Sequence, residues 1–316
     1  MTTTVAPQLT QFARDVAEGM DAGQKYISAR YFYDSLGSAL FEAITYLPEY
    51  GLTRADERLL NNHASEIAAA VNGVVRVAEL GSGSGKKTRT ILEALGRAPE
   101  RLIYQPIDVS PAALQACERE LADVCQVAPI CDDWIGGLGS VSRSGHESML
   151  LLFLGSSIGN LNRNEITPFL SDIRGSLRRG DFFILGADLV KNVDAMLAAY
   201  DDPTGVTAAF NVNILGRMNR ELGADFDLRS FTHEVRWNEE ERRIEMHLLS
   251  GRPQTVYIGA LGRSFEFAAG ETIWTESSHK FTEPELELYA RESGFSPLVS
   301  WVDREWPFAE ALWQAS

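Results

Sequence analysis

The residues best suited to chemistry come first as Gly81-Ser82-Gly83-Ser84-Gly85, preceded by Glu79 and Leu80. Glycines spaced this way let the backbone turn sharply and let a ligand come close to it. A tight turn between a strand and a helix is the plainer reading. A site for a nucleotide-type cofactor is the sharper one. Asp108 supports the second, because it ends the next apolar run, where a carboxylate can accept from both hydroxyls of a ribose. As an alternative it caps the helix that starts at Pro111, a task Ser110 does as well. Asp133 and Trp134 follow at the next crossing. There an acid could bind the adenine amino group and an aromatic ring could stack on it; a surface loop is the alternative.

These residues need elements to hold them. Val74 to Leu80, Leu102 to Val109, Met149 to Leu154 and Phe182 to Leu185 are short apolar runs that predict strands. Lys87 to Leu95, Pro111 to Val124 and Glu165 to Leu177 have helical spacing and lie between them. Strands alternating with helices imply βαβ units and a parallel sheet covered on both faces. The fold class is therefore α/β, Rossmann-like. The motif fits the E-x-G-x-G pattern of Rossmann-like methyltransferases. It departs from the G-x-G-x-x-G of NAD enzymes, whose last glycine would fall at Lys86.

The texture changes on either side of that region. Residues 1 to 54 read mostly as helix, with Phe12, Val16 and Met20 on one stripe. Val190 to Tyr200 and Val206 to Leu222 read as helices. Phe231 to Trp237, Ile244 to Leu249, Thr255 to Leu261 and Ser264 to Phe267 read as a run of antiparallel strands. From Phe281 a helix, Pro284 to Ser293, leads to a strand near Leu298 to Val302 that could complete the first sheet. The expected division is 55–188 plus 281–316 for the Rossmann-like domain. A smaller α+β substrate-binding domain takes 1–54 plus 189–280.

The chain has 316 residues, 45% of them hydrophobic and 23% charged, with a net charge of −15. That balance repels phosphate backbones, so nucleic acid is not an expected partner. No apolar run approaches the roughly 20 residues that span a bilayer, and no leader is expected at the N-terminus. Cys117, Cys125 and Cys131 form neither a CxxC pair nor an even set, which fits a reducing cytoplasm and no metal. His63, His146, His233, His247 and His279 show no metal spacing, and none is expected to be catalytic.

Several segments, in order and over nearly the whole chain, resemble one family. They are Tyr31-Phe32-Tyr33-Asp34, Leu47-Pro48-Glu49-Tyr50 with Thr53-Arg54, the glycine loop, and Phe153 to Asn160. Tyr200-Asp201-Asp202, Gly205 to Asn211, Arg243 to Met246 and Thr275 to Ser278 continue the match. The chain resembles the histidine Nα-methyltransferases of ergothioneine biosynthesis. The resemblance implies S-adenosylmethionine as methyl donor, S-adenosylhomocysteine as its product, and three methylations of L-histidine, through mono- and dimethylated forms, to hercynine. It also implies a monomer.

Carried over by position, the resemblance gives Gly81, Gly83, Lys87, Asp108, Asp133 and Trp134 to the cofactor. Asn160 and Tyr200 would bind the substrate carboxylate. Tyr33, as the catalytic group, would face the α-amine with the Gly155 and Ser157 region. Tyr50, Glu276 and Ser278 would hydrogen-bond the imidazole, with Met246 and Phe41 as apolar walls. Where the family often has Tyr-Tyr-Pro-Thr-Arg, this chain has Tyr50-Gly51-Leu52-Thr53-Arg54; Ser157 replaces a Thr of some relatives, and Trp134 a Phe.

The residue chemistry agrees with these roles without requiring them. A carboxylate such as Glu276 accepts from an imidazole N–H, while Tyr50 or Ser278 satisfies the other side. Indole has one N–H and no acceptor nitrogen, and such mismatches reach on the order of 10⁴ in selectivity. Glu276 also reads as a solvated strand end, Met246 as a core residue of its strand, and Asn160 as a turn residue. Methylation of another amino acid such as tryptophan, an NAD-dependent oxidoreductase and a non-catalytic binding protein remain open from the residues alone.

Overall fold

The computed structural model describes residues 9–71, 73–96, 102–143, 145 and 147–316. His146 lies outside them. The chain divides into two compact units. One comprises 1–49, 194–238 and 244–277; the other comprises 50–193, 239–243 and 278–316. The turn 239–243 groups with the larger unit.

The larger unit is built on one sheet. Its strands are β1 (Arg76–Leu80), β2 (Ile103–Asp108), β3 (Gln126–Val127), β4 (Ile130–Cys131), β5 (Met149–Phe153) and β6 (Phe182–Asp188). β12 (Phe295–Asp303) and β13 (Phe308–Ala315) complete it. The order is β12-β13-β6-β5-β1-β2-β3, with β4 also paired to β2. β1, β2, β5 and β6 are parallel, and β13 is antiparallel to both β6 and β12. β1 and β5 are buried along their whole length, as strands covered on both faces must be. The expected final strand is therefore a pair. β13 takes the place beside β6, and β12 becomes the edge.

Helices α3 (Gly51–Ala70), α4 (Thr88–Leu95), α5 (Pro111–Leu121), α6 (Trp134–Gly139), α7 (Arg163–Ser176) and α10 (Glu283–Glu292) belong to this unit. Ser110 caps α5 through its side chain, and capping boxes open α7 and α10. The core runs from Leu80, Ile107 and Phe153 through Leu170 and Phe183 to Phe295 and Trp313.

The smaller unit holds α1 (Gln11–Asp21), α2 (Ser35–Thr45) and α9 (Val206–Leu222), with most of α8 (Val193–Tyr200). The stripe of Phe12, Val16 and Met20 is buried, and Phe12 stacks on Tyr31 at 4.2 Å. The antiparallel strands form two sheets rather than one run. β7 (Phe231–Asn238), β8 (Arg243–Ser250) and β11 (Thr272–His279) make one, and β9 (Gln254–Ile258) pairs with β10 (Arg263–Phe267) in the other. β11 was not among the expected strand runs, although Glu276 read as a strand end. It lies beside β8, the strand that carries Met246.

Candidate active site

In the larger unit the expected residues gather at the C-terminal ends of the parallel strands, where open α/β sheets bind ligands. Gly81 N–H donates to the Ile107 carbonyl at 2.8 Å, which ties the glycine loop to the end of β2. Gly83 has φ +55°, and a Cβ there would meet nothing within 4 Å. Its N–H donates to Asp108 Oδ2 at 3.1 Å, while Ser110 N–H donates to Oδ1 at 2.8 Å. Gly85 is needed for a different reason: a Cβ there would lie 2.7 Å from Cys117 Sγ on α5. Burial pushes the Asp108 carboxyl up from its ordinary value, and the N–H groups of Ser110, Gly83 and Val109 pull it back.

Beneath the loop, the buried Glu79 accepts from Thr88 Oγ1 at 2.6 Å and from Tyr104. Burial raises it to about 7 despite those two donors. The acid of the E-x-G-x-G pattern thus anchors the loop to α4 and β2 rather than facing outward.

Trp134 stands edge-on to Phe153, with ring centroids 4.8 Å apart, and its Nε1 would be 3.3 Å from a Cβ on Gly81. Asp133 caps α6, accepting from Gly136 N–H at 2.8 Å through one oxygen. Ser82 Oγ is buried with no hydrogen-bond partner among the described residues. An approachable loop, a carboxylate at the end of the second strand, an indole across from Gly81 and an unsatisfied hydroxyl fit an adenosyl group.

Lys87 pairs with the fully buried Asp56, and its Nζ would be 3.3 Å from a Cβ on Gly155. Burial works against its charge, but Asp56, Glu79 and Glu310 outweigh it and hold the ammonium above its ordinary pKa. Gly155 and Ser156 both have positive φ, a sharp turn after β5. A 3-10 helix, Ser157–Asn160, follows, and its Gly159 allows close contact: a Cβ there would be 2.9 Å from the His279 carbonyl. That contact brings the Ser157 and Asn160 segment against the segment carrying Ser278. Tyr50 is buried and immediately precedes α3.

The smaller unit groups its own expected residues. Tyr33 stands edge-on to Phe41 at 5.6 Å and to Phe210 at 5.9 Å. Met246 is buried on β8, and its carbonyl accepts from Thr275 Oγ1 on β11 at 3.0 Å. Glu276 follows Thr275 and is half-buried. Tyr200 is buried, and its carbonyl lies 2.8 Å from His233 Nε2.

Sequence reasoning missed the groups that tie these together. Asn211 donates to the His247 carbonyl at 3.1 Å, lies 2.8 Å from His233 Nδ1 and accepts from Thr275 at 2.7 Å. Burial lowers the pKa of His233, which favours the neutral ring. A neutral ring donating to Tyr200 and accepting from Asn211 locks both. Asn211 closes the Gly205 to Asn211 segment, which was the available signal. Asp56, Asp188, Lys280 and Glu310 were missed as well.

The family model described as "Histidine-specific methyltransferase, SAM-dependent" matches residues 12–315. The chain belongs to that family. A histidine N-alpha-methyltransferase of Mycobacterium tuberculosis (strain CDC 1551 / Oshkosh) is 40% identical over 303 residues, 95% of this chain and 93% of that protein. One from Mycolicibacterium smegmatis (strain ATCC 700084 / mc(2)155) is 40% identical over 302 residues, with the same shares. Ergothioneine biosynthesis protein 1 of Neurospora crassa is 30% identical over 295 residues, 89% of this chain but 32% of that protein. As a member of the family the chain is an S-adenosylmethionine-dependent methyltransferase.

Gly51 has a local reason. A Cβ at Gly51 would lie 2.3 Å from the ring of Trp306, so the indole occupies the space a side chain would need. Trp306 in turn donates to Asp188 Oδ1 at 3.0 Å. No described helix is long and apolar enough to cross a membrane.

Proposed function

We propose that the chain transfers three methyl groups to the α-amine of L-histidine, giving hercynine for ergothioneine biosynthesis. The proposal includes a monomer working in a reducing cytoplasm. The observation that supports it most is the 40% identity, over 95% of the chain, to proteins named histidine N-alpha-methyltransferase. It is joined by the presence here of each polar group that recognition of histidine calls for.

Gly81, Gly83, Asp108, Asp133 and Trp134 hold the adenosyl part of the cofactor, and Lys87 its charged end. Asn160 and Tyr200 bind the substrate carboxylate. Glu276 accepts from the imidazole, Tyr50 and Ser278 meet its other side, and Met246 and Phe41 flank the ring. When bound, S-adenosylmethionine supplies a methyl group on a cationic sulfur. Each transfer forms one N–C bond, breaks one S–C bond and releases one proton from the amine. The residues therefore orient and desolvate; holding the reacting atoms in line is worth roughly 7–11 kcal/mol. Tyr33 orients the lone pair of the neutral amine.

Mass spectrometry of products from an equimolar mixture of the twenty amino acids tests the reading. Three successive methyl additions to histidine alone are expected. Methylation of tryptophan would overturn the imidazole-binding roles. In the same assay, a Tyr33→Phe variant with unchanged rates at all three additions would remove Tyr33 from the reaction.

A further inference from the structure

The turn between β12 and β13 carries Trp306 and is fixed to α3. Arg58, about two turns after Gly51 along α3, donates through Nε and Nη2 to the two oxygens of Asp303, each at 2.8 Å. Asp303 Oδ1 in turn accepts from the N–H groups of Glu305 at 3.0 Å and Trp306 at 2.7 Å. A fork of this kind fixes direction as well as distance. The turn is also tied to the end of β6, because Leu189 N–H donates to the Pro307 carbonyl at 3.0 Å. The indole of Trp306 makes the same bridge. Its six-membered ring lies against Gly51, the first residue of α3: a Cβ there would be 2.3 Å from Cε3 and 2.5 Å from Cδ2. Its Nε1 donates to Asp188 Oδ1 at 3.0 Å, and Lys191 Nζ lies 4.9 Å from the ring centroid.

Both ends of this bridge reach segments assigned to the substrate. Gly51 follows the buried Tyr50 directly. Asp188 ends β6, and its N–H donates to Ser156 Oγ at 2.9 Å. Ser156, with φ +63°, opens the 3-10 helix Ser157–Asn160. Contacts therefore run without a break from Tyr50 and Gly51, through the indole and Asp188, to the turn that carries Asn160. An indole is one rigid plane, so a push on the edge that faces Gly51 also moves Nε1. A side chain at position 51 would lie far inside ordinary van der Waals contact, and the ring would have to leave its seat against Asp188.

We propose that Trp306 is a positioning residue: held between Gly51 and Asp188, its indole sets the spacing between Tyr50 and the Ser157–Asn160 helix, and so holds histidine at its imidazole and carboxylate ends in one alignment. The inference rests on the reading that Tyr50 meets the imidazole and Asn160 the carboxylate. It adds the brace that fixes their separation, by a residue that need not touch the substrate. Transfer in line tolerates little error: a misplacement of about 1 Å caused far from the reacting atoms can cost on the order of 10²-fold. Gly81, Gly83, Asp108 and Trp134 stand at the ends of β1 and β2 and the start of α6, outside this bridge. The loss should therefore fall on histidine rather than on the cofactor.

The test measures kcat/KM for histidine and the dissociation constant of S-adenosylhomocysteine on the full-length protein and on Trp306→Leu, Gly51→Ala and the two combined. Each single variant is expected to lower kcat/KM by at least about tenfold while the dissociation constant moves by less than about threefold. The double variant should be no worse than Trp306→Leu alone, because the added methyl group then has no ring to strike. Losses that multiply would show that the two positions act separately, and would overturn the proposal. So would a dissociation constant that rises in step with the loss in kcat/KM, which is the mark of a merely loosened fold. If Gly51→Ala does not fold, Trp306→Leu adds no atom and decides the matter on the same two measurements. Tyr50→Phe separates the two levels. An unchanged kcat/KM there takes the Tyr50 hydroxyl away from the substrate, and the site reading falls with the proposal. A loss there beside an unchanged Trp306→Leu keeps the site reading and overturns the role of Trp306.

Discussion

The larger unit buries two clusters of ionisable side chains, and they are balanced in opposite ways. Around Asp188 one carboxylate faces two ammonium groups, Lys191 and Lys280. Around Lys87 one ammonium serves three acids, Asp56, Glu79 and Glu310. In the first, burial pushes Asp188 up, but the two lysines overcome it and keep the carboxyl below its ordinary range. Burial also lowers Lys191 to about 8 against the pull of Asp188. In the second there is too little positive charge. Burial raises Glu79 to about 7, and burial together with the nearby Asp56 carboxylate raises Glu310 well above its usual value. Asp56 Oδ1 and both oxygens of Glu310 are buried without a hydrogen-bond partner among the described residues. A proton on Glu310, directed at Asp56, supplies a missing donor. One cluster is held by charge and the other by protons, on the same sheet.

The largest effect is expected where charge does the holding. Asp188→Ala leaves Lys191 and Lys280 buried without their counter-ion, and losing one partner of a buried pair costs about 3–5 kcal/mol. Asp188→Asn keeps the shape and the Trp306 acceptor but not the charge, so it should also destabilise, by somewhat less. Urea denaturation measures both. A loss under about 1 kcal/mol for Asp188→Ala would mean that the lysines are neutral and that the contrast is false.

Much of this fold was legible because apolar strands declare themselves. β1, β2 and β5 end within a residue or so of the expected positions, and β6 runs three residues further, to Asp188. Gly81, Gly83 and Asp108 stand out as cofactor-site candidates from spacing and position alone. β13 was not, because Phe308 to Ala315 carries Glu310 and Gln314 among its apolar residues and has no strand-like run. It becomes a strand by pairing with β6, more than a hundred positions earlier. β11 was missed for a similar reason: Thr272 to His279 is mostly polar and is held by β8. The two charge clusters are assembled from such strands. Asp188 and Lys280 meet through β6 and the end of β11, and Asp56, Lys87 and Glu310 through α3, the start of α4 and β13. No local pattern announces a side chain whose only partners are distant.

The clusters should also answer pH with opposite signs. Glu79, raised to about 7 from 4.5, holds a proton in the folded chain that the unfolded chain has released between those values. Its contribution to stability is therefore full below pH 4.5 and is lost as pH rises through 7. His279, next to Lys280, is lowered by burial to about 4 from 6.5. The unfolded chain binds the proton between those values, so its contribution is full above pH 6.5 and is lost as pH falls through 4. Each swing, about 2.5 units at about 1.4 kcal/mol per unit, is on the order of 3 kcal/mol. Melting temperatures from pH 4 to 8 should show Glu79→Gln gaining on the parent protein as pH rises. His279→Gln should gain as pH falls. Parallel profiles for all three proteins would remove the contrast.

The smallest effect is the sharpest test, because it is expected at a buried glutamate. If Glu310 is neutral in the folded chain, Glu310→Gln changes little: the amide has the same shape, and its N–H can point at Asp56 as the acid proton does. The loss should stay within about 1 kcal/mol. Glu310→Leu keeps the burial but removes the donor, leaves Asp56 Oδ1 unsatisfied, and should cost about 1–3 kcal/mol. Asp188→Asn is the matched control, since it makes the same chemical change in the cluster held by charge. Denaturation midpoints for the three variants, taken at pH 7, decide it. A Glu310→Gln loss equal to that of Asp188→Asn would show that Glu310 is ionised, and then Lys87 would have to balance three carboxylates alone. A small loss at Glu310 beside a large one at Asp188 shows that the neighbours, rather than the carboxyl group itself, set how each cluster is held.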